Sequence, residues 1–555
     1  MFRTDEKQDI SPLPGNGKNA FREALVFALA FLLPVVLLCL LRVKCFSLHG
    51  GEPGTDGFYH AAMALRGPEV FAAKKFPFLA FSLWKETFAD KELLYHILLR
   101  GILLLQKAVT GATYPFTFPA MAFCSGALFA FLLLLKSLKV SGKKLLLCSI
   151  LFSFCAFAFT YRFLMLRPHV FSMMFLFLAC ALFSAPVPGG FPGRLAGFFL
   201  LGFLYAWSYS NPHFLLLPML FYAFFARKEL SRKGLLFPAV VFAGLLAGYV
   251  FHPQFPNTFA VWKVQSLDAV LSPLFYGRRL ASKLPPMEMM PGNFAWFRNA
   301  LPFYALCYTS LYLFIRLREK ERREKTELFT PQEKTVLALS LLFTLGTFFV
   351  LRAIEYALPF AVASFGVLLS RSEEEKSGFF AWKSSPGKVF ALLGAAALCF
   401  LALDAHLMLK SNFNHKVPRK VAEFLEKHTP EGALVVNLDW GDFPAMFYAN
   451  CRNTQLWGMD PAFSYAVSPA TARKLENLVL NSIRSVGADD SFHALTGADY
   501  AFVLSRREKF VRYLKECSWK AVYESEEGSV FALGKTFPPS TETEKENLQQ
   551  GKASK

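Results

Sequence analysis

The sequence predicts a polytopic α-helical membrane protein of about eleven spans, followed by a C-terminal extracytoplasmic α/β domain. Three observations carry this. The 555-residue chain is 54% hydrophobic and 16% aromatic but only 18% charged, and its apolar residues gather in separate runs near the ~20-residue length that crosses a hydrocarbon core. Lys and Arg cluster in alternate short loops between those runs, the pattern that marks cytoplasmic loops. After Asn412 the apolar runs give way to short stretches that alternate between helical and strand periodicity. The net charge of +19 therefore reads as membrane orientation, since no nucleic-acid-binding signature accompanies it.

The first span is 21–43, "FREALVFALAFLLPVVLLCLLRV", with Pro34 a tolerated kink. Its polar lead, residues 1–20, is long, and "KCF" after it offers no small-x-small cleavage site, so the segment reads as a retained anchor. Further spans are expected at 114–135, 145–161, 169–185, 195–210, 213–226, 235–251, 296–315, 333–351, 355–370 and 388–409, with 353–370 the weakest. Between 70 and 110, "FPFLAFSLW" and "LLYHILLRGILLLQ" read as helices lying at the membrane interface.

Orientation follows from the loops. Lys136, Lys139, Lys143 and Lys144, then Arg194, then Arg227, Lys228, Arg232 and Lys233, then "RLREKERREK", then Arg371, Lys376, Lys383 and Lys388 mark the cytoplasmic side, together with the N-terminus. The other side receives the long loop 44–113, the turns near 162–168 and 211–213, the loop 252–295, the turn near 352 and everything after 410. All ten histidines fall on that side or at span ends facing it. A preference for Lys and Arg at cytoplasmic ends accounts for this, and so does an external working face.

The domain plan is thus a cytoplasmic segment 1–20, a membrane domain 21–410, an external α/β domain 411–535 and a polar tail 536–555 whose composition predicts disorder. In the α/β domain "PRKVAEFLEKH", "DFPAMFYAN", "TARKLENLVLNSI" and "REKFVRYLKEC" read as helices, and "ALVVNL", "TQLWGMD", "DYAFVL", "KAVYES" and "SVFAL" as strands. Most cysteines lie inside apolar runs. Cys451 and Cys517 alone fall in the polar region, and spacing leaves open whether they pair.

The stretch "GGEPGTDGFYHAAMALRGPEV", just beyond the first span, sets Asp56 and His60 four residues apart. If a helix starts at Thr55 or Asp56, both side chains share one face. A capping acid beside an interfacial histidine explains the spacing as well as an active-site mouth does, and no specific metal motif is present. Arg352, with Glu355 beside it in "LRAIEYALPF", is a cation at the external end of a span, against the topological trend. Arg162 and Arg167 in "YRFLMLRPH" are similar, and snorkelling to the interface is the plain alternative for all three. His169, and His213 in "SNPH", start helices after a proline, an ordinary arrangement, and either ring could face a pocket. Asp90, Lys91 and Glu92 read as a solvated helix face. Asp439 and Asp442 flank Trp440-Gly441 in a turn suited to capping a helix.

"TDGFYHAAMA" in a first external loop, followed by "DKELLYHILL", resembles the GT-C glycosyltransferases, polytopic enzymes that take sugars from polyprenyl-phosphate carriers. The oligosaccharyltransferase catalytic subunits carry a similar D-x-Y-Y-H stretch there. "EYALPF" resembles a recurring GT-C segment, and "NLDWGDFPAMFYANCRNTQLWGMDP" sits where those subunits carry WWDYG. The likeness covers the plan from 21 to about 535, and its motifs are short. "LDWGDF" departs from WWDYG, which puts a peptide-sequon pocket in doubt, and the second acidic motif that holds metal in those enzymes has no counterpart.

The resemblance implies an inverting transferase in a bacterial or archaeal plasma membrane. It would move sugar from a polyprenyl phosphate or diphosphate donor to a glycolipid, polysaccharide or protein acceptor on the extracytoplasmic side. It assigns Asp56 as catalytic carboxylate, with His60 orienting it or binding phosphate, and Arg352, Arg167, Arg162 and His213 as donor-phosphate ligands. Glu355, His169, Asp439 and Asp442 stand behind these or near the acceptor. A divalent metal, Mg or Mn, stays open, with Asp56 its ligand if there is one. The alternative reading is a transporter or flippase of lipid-linked saccharide. Against it, the polar groups gather at one surface and no duplicated half is visible.

Overall fold

The computed structural model describes residues 17–268, 282, 291–373, 399–410, 414–482, 484, 486–504 and 508–534. The expected disordered tail and the first half of the expected span 388–409 lie outside the described residues. The chain divides into two compact units. One comprises 1–57, 91–255 and 287–414, the other 58–90, 256–286 and 415–555.

The first unit is helical. Its principal helices are α1 (Gly17–Cys45), the start of α2 (Asp56–Arg66), α3 (Leu93–Thr110), α4 (Thr117–Ser137), α5 (Gly142–Phe154), α6 (Phe157–Phe163), α7 (Pro168–Leu182), α8 (Gly190–Ala206), α9 (Leu216–Phe225), α10 (Leu236–Val250), α11 (Leu301–Glu324), α12 (Pro331–Gly346) and α13 (Ile354–Glu373). Five helical stretches are long and apolar enough to cross a membrane: Ala20–His49, Leu93–Thr110, Thr117–Ser137, Lys233–Val250 and Leu351–Ser372. A sixth is added if α5 and α6, bent by 84°, form one span. The described helices thus give five or six candidate spans where about eleven were expected. Several expected spans form shorter apolar helices, α7, α8 and the Pro212–Phe225 stretch among them.

Sequence chemistry explains the punctuation. Thr330 and Glu333 form a capping box at the start of α12, the Thr330 side chain accepting from the Glu333 amide and Glu333 answering to the Thr330 amide at 2.8 Å. The bend between α5 and α6 is held by Thr160, whose hydroxyl donates to the carbonyl oxygens of Ser153 at 3.0 Å and Ala156 at 3.2 Å. The helix α13, the weakest expectation, is 89% buried over its span. Its Ala357, Ala361 and Ala363 are sealed from solvent, and small residues let neighbouring backbones close in.

Among the described residues, α8 and α10 pack with their backbones in contact. A Cβ on Gly202 would lie 2.6 Å from the Val241 carbonyl oxygen, one on Gly244 2.2 Å from that of Phe199, and one on Gly248 2.7 Å from that of Phe203. Glycine is what allows the two backbones to touch. Trp207 adds an indole N–H bond of 2.6 Å to the Gly248 carbonyl.

The stretch Leu93–Thr110, expected at the interface, forms an 18-residue helix with the length and composition of a span. "FPFLAFSLW" is not an interfacial helix. It runs irregularly through the second unit, and its Phe76 and Trp84 are buried with Tyr59, Phe88, Phe443 and Phe447 in one aromatic cluster. Burial there beats exposure to the membrane surface. Nor is 90–92 a solvated face: Asp90 and Glu92 are both buried, and Lys91 lies 3.7 Å from the Glu92 carboxylate.

The second unit holds a five-stranded sheet of β1 (Leu434–Asn437), β2 (Thr454–Gln455), β3 (Tyr500–Leu504), β4 (Ala521–Ser525) and β5 (Gly528–Ala532), in the order β2-β1-β3-β5-β4. β1 runs parallel to β2 and β3, while β5 pairs antiparallel with β3 and β4. Helices Arg419–His428, Pro469–Asn481, Ala488–Thr496 and Glu508–Glu516 accompany it. Val436, Val503 and Phe531 pack with Leu475, Phe492 and Trp519 in its core. "TQLWGMD" contributes only the two residues of β2, because Trp457 turns away to bond the Asn437 carbonyl through its indole N–H at 2.8 Å. Cys451 and Cys517 are both free thiols.

Candidate active site

Three helices begin where the candidate residues gather in the first unit. Asp56 lies in the first turn of α2. Arg167 precedes α7 in an extended conformation, with Pro168 as the first helical residue and His169 the second. Glu355 lies in the first turn of α13, just after the turn Leu351–Ala353 that carries Arg352. Arg162 sits in the last turn of α6. Acids in first turns are favoured by the partial positive charge of helix N-termini.

The side chains form two coupled ion-pair groups. Arg167 Nη2 lies 2.7 Å from Asp56 Oδ2. Arg162 grips Glu355 with two nitrogens on Oε1, its Nε at 2.7 Å. On the other carboxylate oxygen, Arg352 Nε stands 3.4 Å away, and Arg352 Nη2 donates to the Tyr209 hydroxyl at 3.3 Å. His169 Nε2 is 3.9 Å from Glu355 Oε1, and neither ring nitrogen makes a hydrogen bond. Three guanidinium groups thus face two carboxylates, leaving an excess of positive charge.

Exposure separates the roles. The side chains of Asp56 and Arg352 are 33% and 25% exposed, whereas those of Glu355 and His169 are each 1%. The open pair can meet a substrate; sealed Glu355 can only hold the arginines. Behind them, the Ser172 hydroxyl bonds the Tyr205 and Tyr356 hydroxyls at 2.6 and 3.0 Å.

Other expected residues stand elsewhere. His60 follows Asp56 by one turn of α2 and is buried with the second unit, its ring edge-on to Tyr59. His213 lies on the turn before α9 with its ring 5.0 Å from Phe214, and among the described residues no hydrogen bond or ion pair joins it to the arginines. Asp439 caps its own turn by accepting from the Gly441 amide at 2.9 Å. Asp442 is buried and accepts from the Leu504 amide at 3.1 Å, tying its turn to the end of β3. The turn they shape places Trp440 in a shallow crevice with Trp457, Asp460, Tyr465 and Glu476, where the Tyr465 hydroxyl donates to Glu476 at 2.7 Å. Burial and the Glu476 acceptor push that hydroxyl above the ordinary phenol range.

Sequence reasoning missed Tyr209, Arg42 and Glu52. Arg42, fully buried near the end of α1, donates to the Glu52 carboxylate and to the Leu164 carbonyl. Glu52 also accepts from the Phe116 amide at 2.9 Å. Burial pushes the Glu52 carboxyl above its usual range, while Arg42 and the amide pull it back. An acid in "GGEPG" and an arginine ending an apolar run were the available signals. The donor set does not fit a resident divalent cation: the carboxylate of Asp56 already holds a guanidinium, and among the described residues no three His, Cys, Asp or Glu come together.

No family model matches the sequence, and no curated protein matches it. Solved structures do. An oligosaccharyltransferase of Archaeoglobus fulgidus, AglB, superposes with a TM-score of 0.56 at 14% identity over 92% of this chain and 75% of its own; one of its structures holds an inhibitory peptide and a dolichol-phosphate. ArnT from Cupriavidus metallidurans gives 0.50 at 13% identity over 94% and 99%. The arabinofuranosyltransferase AftD from Mycobacteria gives 0.50 at 12% over 91% of this chain and 40% of AftD. This chain has the GT-C fold. The likeness expected from "TDGFYHAAMA" is therefore present at the level of architecture, across more than nine-tenths of the chain.

Proposed function

We propose that this protein is a membrane glycosyltransferase. It moves a sugar from a polyprenyl phosphate or diphosphate carrier to a glycolipid, polysaccharide or protein acceptor on the extracytoplasmic face of a plasma membrane. The observation that carries this reading is a partly exposed carboxylate, Asp56, bonded to Arg167 in a chain of GT-C fold. The bound dolichol-phosphate in AglB supports a lipid phosphate as the anion recognised here.

The chemistry needs one base and a cradle of cations. The acceptor hydroxyl attacks the anomeric carbon as the bond from that carbon to the phosphate oxygen breaks, inverting the centre. The proton passes to the Asp56 carboxylate, and the electron pair leaves with the phosphate. That leaving group is already anionic and needs no general acid of the glycosidase kind. Arg167 bridges the base and the lipid phosphate. Arg352 and Arg162 add charge to the cradle, Glu355 sets their direction with His169 packed beside it, and guanidinium forks suit phosphate oxygens. His60 supports α2 behind Asp56, and His213 lines the approach; Asp439 and Asp442 shape the Trp440 turn within the second unit.

The test is transfer of radiolabelled sugar from polyprenyl-phosphate carriers to a membrane fraction by wild type and Asp56→Asn. Transfer by the wild type alone supports the proposal. Equal transfer by both removes Asp56 from the reaction, and vesicle uptake of the saccharide without any transfer product supports the transporter.

A further inference from the structure

We infer that the buried Arg42–Glu52 pair is the device that positions Asp56; this rests on the glycosyltransferase reading above. One guanidinium joins two chain segments. It bonds Glu52, four residues before Asp56, and the carbonyl of Leu164, three residues before Arg167. Phe116 donates its amide to the remaining Glu52 oxygen and fixes the carboxylate from a third side.

Between this base and the open end the two segments touch twice more. A Cβ on Gly54 would lie 3.2 Å from Met165 Cε, and one on Gly57 would lie 3.4 Å from Leu166 Cβ. Gly54 takes a φ of +79°, a conformation that glycine adopts without strain and other residues resist. The next rung outward is the 2.7 Å contact of Asp56 with Arg167. Side-chain exposure climbs along the ladder, from 0% and 2% at Arg42 and Glu52 to 33% at Asp56. No substrate reaches the inner pair, so its members are positioning residues. A buried ion pair contributes little net stability against an apolar pair of the same shape. What it supplies is directional bonding that sets both segments in one register, and a reacting group misplaced by about 1 Å can lose ~100-fold in rate.

Four variants of the protein test this. Glu52→Gln should lower kcat by roughly 10- to 100-fold while the donor KM stays within about threefold, because Arg162 and Arg352 are held by Glu355 and not by this pair, and still bind the phosphate. The double variant Arg42→Met/Glu52→Leu should regain the thermal stability lost in Glu52→Gln, as apolar replacements of buried pairs do, without regaining kcat. The pair Gly57→Cys/Leu166→Cys, whose Cβ separation suits a disulfide, should cross-link readily on oxidation and about tenfold more slowly when Glu52→Gln is added. Wild-type kcat and cross-linking rate in Glu52→Gln overturn the inference, and so does recovery of kcat together with stability in the double variant. If the wild type transfers no sugar at all, the proposed function fails, and the cross-linking rate alone decides the positioning role.

Discussion

Replacing Asp56 with asparagine should slow sugar transfer and at the same time tighten binding of the lipid phosphate. The structure gives both signs. Asparagine cannot take the acceptor proton, and loss of a positioned base costs about 10²–10⁴ in kcat, or roughly 3–5 kcal/mol of barrier. Binding moves the other way because Arg167 is shared. In the wild type its guanidinium lies 2.7 Å from the Asp56 carboxylate, so a phosphate on its far edge sits about 7 Å from that negative charge, a repulsion of ~0.6 kcal/mol in a water-like medium and ~2.4 kcal/mol at an effective dielectric of 20. With a third of the Asp56 side chain exposed, the lower end applies. Polyprenyl phosphate should bind about threefold more tightly to Asp56→Asn. Titration of purified protein in nanodiscs at low and moderate salt measures this, alongside single-turnover transfer. Undiminished kcat, or weakened phosphate binding, would refute the shared-arginine arrangement.

Arg352→Ala should raise the donor KM about tenfold with kcat within about threefold, since it removes an anion contact and not the base; initial-rate kinetics at saturating acceptor measure the split. Glu355→Leu strands two guanidinium groups around a fully buried site, and breaking such a pair costs about 3–5 kcal/mol; thermal unfolding in detergent should show a melting temperature well below wild type, and an unchanged one would remove Glu355 from the structural role. In the second unit, Tyr465 holds its proton more tightly folded than unfolded. Its contribution is therefore fully present below about pH 10 and falls as pH rises further. Tyr465→Phe should flatten the alkaline limb of a stability–pH curve.

The sequence made the apolar spans, the alternating α/β region and the arginine-rich external turns legible, because each is written in composition and local periodicity. Depth of burial was not. Helix α13 was the weakest expected span, and its Glu355 and small residues follow from its place among other helices. "FPFLAFSLW" looked like membrane-facing aromatics, and only the fold shows Phe76 and Trp84 meeting Phe443 and Phe447, more than 350 positions away. Within the candidate site, Asp56 and Arg352 stood out as charges where charge is unusual. The partnership of Arg162 with Glu355 crosses nearly two hundred residues, and no spacing rule could find it. Glu52 was passed over for the opposite reason: it lay beside a more conspicuous acid.

The glycine contacts that bring α8 and α10 together leave no crevice between them. An isoprenoid tail sliding in from the bilayer needs a gap about as wide as its branched methyl groups, and here main chain meets main chain. Under the proposed function, a lipid carrier reaches the arginines from another side. A side chain larger than hydrogen at Gly202, Gly244 or Gly248 should therefore push the two helices apart and open a seam that is closed here.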